Sequence, residues 1–204
     1  MLGALNRFEA ALESCEKAIA IKPDLAVAYM NRGKALEALK RWEEAISSFD
    51  QAIALNSGYA EAFYNRGVAL QSLKRYRHAL DSYQRAVAIK PDFAVAYCNL
   101  GIVLEALMRR PEALASYDRA IALKPDLAEA YLNRGNALQA LRRMEEALAS
   151  FDKAIALRPG YPEGYFNRGH ARLRVGRFRE GWADRERRRT RAELMDPWLR
   201  QHSG

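Results

Sequence analysis

Glycine recurs in this chain at Gly33, Gly67, Gly101, Gly135 and Gly169, a step of 34 residues each time. Asparagine keeps the same step two places earlier, at Asn31, Asn65, Asn99, Asn133 and Asn167. A fixed period of this length marks an array in which one small structural unit stacks on its neighbours. Aligned on the glycines, the units run 26–59, 60–93, 94–127 and 128–161, and a fifth, 162–195, starts in register and then departs from it. In the first unit, Tyr29, Gly33, Leu36 and Leu39 fall at the three-to-four spacing of one helix face. A short polar break at Lys40-Arg41 precedes Trp42, Ala45, Ile46, Phe49, Ala52 and Ile53, again at helical spacing. Each unit therefore reads as helix–turn–helix. Pro23, Pro91, Pro125 and Pro159 stop the second helix, whereas Pro111 and Pro162 stand where a first helical turn needs no N–H.

Glycine inside a helix costs about 0.5–1 kcal/mol relative to alanine. Repeating that cost at one place implies a close approach of the partner helix. Ala45, Ala79, Ala113 and Ala147 offer a similarly shallow surface on the second helices. Large residues fill the complementary spaces, Tyr29, Phe63, Tyr97, Tyr131 and Tyr165 on the first helices and Phe49, Tyr83, Tyr117 and Phe151 on the second. Ala52, Ala86, Ala120 and Ala154 leave room for the next unit.

An aromatic four before the glycine, leucine three after, alanine twelve and nineteen after, an aromatic sixteen after and proline twenty-four after together resemble the tetratricopeptide repeat. The resemblance implies an all-α fold, a right-handed superhelical solenoid of helix-turn-helix repeats. It divides the chain into a partial repeat at 1–25, four full repeats at 26–161, the first helix of a fifth at 162–177, and a divergent Arg-rich capping helix and tail at 178–204. One departure is consistent. The family has an apolar residue just before the glycine, but Arg32, Arg66, Arg134 and Arg168 stand here, with Leu100 alone conforming. A long arginine stem covers apolar surface while its head reaches water.

The formal net charge of +8 is concentrated at one end. Residues 172–204 hold ten arginines against five carboxylates, +5 of the total, so the repeats carry no strongly basic stripe. No apolar run approaches the ~20 residues of a membrane span, and the N-terminus has no basic leader before a long apolar stretch. Cys15 and Cys98 form no disulfide framework, which with the foregoing favours a cytoplasmic setting. His78, His170 and His202 have no partners at metal or triad spacing, and no phosphate-binding glycine loop or Cys-x-x-Cys occurs. Glu43-Glu44 and Glu145-Glu146 open the second helices, where carboxylates suit the helix dipole. The expectation is a protein without catalytic residues, cofactor or metal.

In tetratricopeptide superhelices the residue two before the glycine faces the concave groove, so the resemblance puts all five asparagines there. It adds Lys34, Val68, Ile102, Asn136 and His170, one after the glycine, and Glu37, Gln71, Glu105 and Gln139, four after. Met30, Tyr64, Cys98, Leu132 and Phe166, three before, are expected to supply apolar contact. An amide offers both a donor and an acceptor, so a file of them can hold an extended peptide by its backbone. The pattern resembles the asparagine ladder of the O-linked N-acetylglucosamine transferase repeats. The positions at which chaperone-binding members place lysine and arginine carry Met30, Tyr64, Cys98, Val27, Glu61 and Val95, which argues against that carboxylate clamp.

The expected function is a protein–protein interaction scaffold that takes an extended segment in its groove. Gly176-Arg-Phe-Arg-Glu-Gly-Trp182 resembles the segment after the last repeat of bacterial tetratricopeptide proteins that continue into a glycosyltransferase-like domain, so a substrate-presenting role is the alternative. Nucleic-acid binding through Arg185–Arg191 ranks lower, because no aromatics are interleaved for base stacking. Near the N-terminus a second helix at about 8–20, its partner reduced to Met1–Leu5, leaves Phe8, Leu12, Ile19 and Ile21 short of cover, as expected either of an array cut from a longer one or of an edge open to self-association. Phe178 and Trp182 are expected to cover the last first helix, with Leu194, Met195, Trp198 and Leu199 near the end of the final one.

Overall fold

The computed structural model describes the backbone of residues 2–195 and the side chains of 7–187; Trp198 and Leu199 lie outside the described residues, as do the side chains of Leu194 and Met195. Every element in the described residues is helical. The chain divides into two compact units, residues 1–107 and 108–204, with the boundary in the turn within the third 34-residue repeat.

The first unit contains α1 (Leu2–Ile21), the hairpin of α2 (Ala26–Ala38) and α3 (Trp42–Leu55), the hairpin of α4 (Ala60–Ser72) and α5 (Tyr76–Ile89), and α6 (Ala94–Ala106). Helix α1 is continuous from Leu2, so no separate partner helix precedes it within the described residues. It packs on α2 and Leu12 is buried, while Phe8 remains 40% and Ile21 85% exposed. The second unit contains α7 (Arg110–Leu123), the hairpin of α8 (Ala128–Ala140) and α9 (Met144–Leu157), and the hairpin of α10 (Pro162–Arg174) and α11 (Phe178–Met195).

The periodic glycines are where the hairpins close. A methyl group built on Gly33 would lie 2.4 Å from the Phe49 ring, one on Gly67 2.7 Å from the Tyr83 ring, and one on Gly135 2.4 Å from the Phe151 ring. Those three rings are fully buried, as are Ala45, Ala79 and Ala147 beside them. The aromatic sixteen residues on therefore occupies the space that the missing side chain vacates. The turn is sealed by a residue in the left-handed region, Lys40 (φ 59°), Lys74 (58°), Met108 (64°), Arg142 (63°) and Gly176 (80°). After it the chain returns a hydrogen bond into the last helical turn, for example Arg41 N–H to the Leu36 carbonyl at 2.9 Å.

The arginines before the glycines do more than cover apolar surface. Arg66 donates to Ser82 Oγ of its own hairpin at 2.9 Å, and its Nε lies 2.7 Å from Asp50 of the preceding one. Arg134 repeats the arrangement with Ser150 at 2.8 Å and Asp118 at 2.6 Å. Arg32 reaches Ser48 at 3.3 Å and lies 3.7 Å from Glu16 on α1. These rungs bind each hairpin internally and tie it to the preceding second helix. Their heads meet protein partners, a correction to the expectation that they simply reach water.

The last hairpin closes differently. Asp184 stands where the other second helices carry serine, and Arg185 replaces the aromatic. The Asp184 side chain is 3% exposed and is gripped by Arg168 at 2.5 and 2.8 Å and by Arg172 at 2.8 Å. Gly169 and Gly181 let the two helices approach, and a methyl on either would lie 3.0 Å from the other's carbonyl oxygen. Phe178 and Trp182 are 63% and 55% exposed, so the ion cluster and the paired glycines close this hairpin rather than these two aromatics.

Candidate functional site

Within each unit the first helices present one face in register, and the asparagine file lies on it. In the first unit Asn31 is exposed and Asn65 and Asn99 are half-buried. Asn65 Nδ2 donates to Met30 Sδ at 3.8 Å, and Asn99 Nδ2 donates to the Tyr64 hydroxyl at 3.1 Å. In the second unit Asn167 Nδ2 donates to Asn136 Oδ1 at 2.8 Å, and Asn133 is half-buried. Three asparagines thus spend one N–H on the first helix before them. An amide has two N–H donors and an oxygen with two lone pairs, so each retains its oxygen for a ligand, and Asn65 and Asn167 retain a second N–H as well.

Tyr64 is the large element of the first unit's face. Its ring centroid lies 5.0 Å from that of Phe93 and 5.9 Å from that of Tyr83, and burial pushes its hydroxyl above the ordinary phenol range. Tyr83, from the second helix, reaches the same layer and donates to Gln71 Oε1 at 2.9 Å. Beside them Lys34 is exposed, while Glu37 is half-buried, its carboxyl raised by desolvation and lowered in part by Lys34. Met30, Cys98 and Leu132, expected to offer apolar contact, are only 1%, 4% and 7% exposed. They face inward, so Tyr64 and Phe166 alone of that file present surface.

The second unit's face holds an open cavity of about 390 Å³. Asn136 and Gln139 of α8 form one wall, and Phe166, Asn167 and His170 of α10 the other. Arg174 of α10 and Ala140 of α8 complete its lining. The Phe166 and His170 rings lie 6.0 Å apart at 38°. The groove expected from the sequence includes all of these except Ala140 and Arg174. The signal for Arg174 was present: the place five after the glycine carries Ala38, Ser72, Ala106 and Ala140 before it carries Arg174.

Among the described residues no group of histidine, cysteine, aspartate and glutamate is placed to hold a metal ion, and no helix is long and apolar enough to cross a membrane. Family models described as tetratricopeptide repeat match residues 1–25, 60–93 and 128–161, and one described as TPR repeat matches 38–74 and 110–141. No curated protein matches the chain. Among solved structures it is similar to YrrB, described as a TPR protein with an unusual peptide-binding site, at 26% identity over 85% of this chain and 90% of that one, TM-score 0.73. It is similar to MamA at 28% identity over 74% and 88%, TM-score 0.70. PilF of Pseudomonas aeruginosa shares the fold, with 20% identity, 96% and 88% coverage and a TM-score of 0.79.

Proposed function

We propose, on the premise that this chain belongs to the tetratricopeptide repeat family, that its protein-interaction scaffold is non-catalytic and holds an extended peptide segment along the first-helix faces. The observation that carries the reading is the periodic asparagine file, in which Asn65, Asn99 and Asn167 bond to the preceding first helix and keep an amide oxygen for a ligand backbone. Preorganisation by those bonds lowers the ordering cost of binding. YrrB, a protein of comparable fold at 26% identity, is described as having an unusual peptide-binding site, which supports peptide binding as the use of this fold here. The amides recognise backbone, so the demand on ligand sequence is low along the file.

The test replaces Asn65, Asn99 and Asn167 with alanine and measures anisotropy of a fluorescein-labelled, acetyl- and amide-capped random heptapeptide pool. Affinity should fall by about tenfold, the order expected from losing several neutral hydrogen bonds, with the helical circular dichroism retained. Equal affinity in wild type and variant removes the asparagine file from binding.

A further inference from the structure

The cavity on the second unit gathers hydrogen-bond donors, and no aspartate or glutamate lines it. Asn136 accepts from Asn167 through its oxygen at 2.8 Å, which leaves the Asn136 amino group to donate. The side chains of Gln139 and Arg174 have no hydrogen bond or ion pair among the described residues. The guanidinium of Arg174 contrasts with the other arginines of α10, since Arg168 and Arg172 are both committed to Asp184 and Asp152. Arg174 is also the departure from a repeated small residue, and His170 stands where the earlier repeats carry Lys34, Val68, Ile102 and Asn136. One helical turn apart, His170 and Arg174 place an imidazole and a guanidinium in the lining of one cavity.

We infer that this cavity binds a carboxylate carried by an extended peptide, with Arg174 as the charged donor and His170, Asn136 and Gln139 as its hydrogen-bonding companions. The inference rests on the peptide-binding reading above and names what one place on that surface selects. A guanidinium fork matches the two oxygens of a carboxylate, and hydrogen bonds to an ionised acceptor are about twice as strong as neutral ones. Phe166 gives the cavity an apolar wall for the methylene stem of the acid. About 390 Å³ is room for an acidic residue together with flanking peptide groups. The carboxylate can come from an acidic side chain or from a peptide C-terminus, which present the same two oxygens.

The experiment uses the intact 204-residue chain and three labelled random heptapeptide pools: capped with central glutamate, capped with central glutamine, and central glutamine with a free C-terminal carboxylate. A carboxylate-bearing pool should bind about tenfold more tightly than the capped glutamine pool. The preferred pool identifies side chain or terminus as the source. Arg174→Ala, which restores the residue found at Ala140, should bring the pools to within about twofold of each other, and Arg174→Lys should keep part of the preference. Equal binding of all pools by the wild-type chain overturns the inference and leaves the groove reading standing. Binding of none overturns both. A preference that survives Arg174→Ala places selection elsewhere and overturns this site.

Discussion

Gly33 has no room for a side chain. A methyl there would lie 2.4 Å from Phe49 Cε1 and 2.7 Å from Cδ1, and Phe49 is fully buried, so the ring has nowhere to move. Alanine is favoured over glycine in a helix by about 1 kcal/mol, but overpacking a closed core costs about 1–3 kcal/mol. Gly33→Ala should therefore destabilise the first hairpin, read as a lowered urea midpoint. A rise would mean that α2 and α3 separate at little cost. The turn makes the opposite demand. Lys74 holds φ 58° where the last repeat carries Gly176 at φ 80°, and a side chain in that region is strained. Lys74→Gly should raise stability by about 0.5–1 kcal/mol and Gly176→Lys should lower it by a similar amount. Thermal melting of the two variants with the wild type checks the pair, and shifts of the same sign would exclude turn strain as the cause.

At the scale of the element, the closing hairpin α10–α11 depends on one carboxylate. Asp184 takes Arg168 at 2.5 and 2.8 Å and Arg172 at 2.8 Å, and the two arginine side chains are 11% and 19% exposed. Removing the partner of buried charges costs about 3–5 kcal/mol. Asp184→Ala should lower stability by that order and speed hydrogen exchange in α10 and α11. Asp184→Ser restores the residue used at Ser48, Ser82 and Ser150, each of which accepts from one arginine, and should cost less. Equal losses in the two variants would show that the second arginine, which serine cannot also satisfy, sets the whole requirement. The rungs between hairpins were legible in the sequence as paired exceptions. Asp50, Asp118 and Asp152 precede Arg66, Arg134 and Arg168, whereas Gln84 precedes Leu100, so acid and base are lost together. The hairpins were legible from period and helical spacing. The inward turn of Met30, Cys98 and Leu132 was not, because the family register by itself does not follow the helix surface. Residues three apart share a face, and the buried glycine draws its neighbour three places before it inward unless that neighbour is as large as Tyr64 or Phe166.

At the scale of the whole molecule, six glutamates fall into two kinds with opposite dependence on pH. Hydrogen bonds from Lys17, Arg41, Lys90, Arg109 and Arg143 hold Glu13, Glu44, Glu61, Glu112 and Glu146 below the ordinary carboxylate value. A carboxyl depressed in the folded state contributes stability above its unfolded value, about 4.3, and loses it as the pH falls through the folded value. Glu37 is the reverse case. Desolvation raises its carboxyl, more than Lys34 lowers it, so the folded chain takes up that proton before the unfolded chain does. Ionised Glu37 is therefore a cost at neutral pH, and the cost disappears as the pH falls through its raised value. The urea midpoint should rise slightly on mild acidification and then fall below about pH 4 as the five depressed carboxylates lose their partners. Glu37→Gln isolates the first effect from every other titrating group. Its midpoint should exceed that of the wild type at pH 7 and meet it near pH 4, where the wild-type side chain is also neutral. A difference that stays constant across this range would assign the change to packing around Tyr64 and remove Glu37 from the pH response.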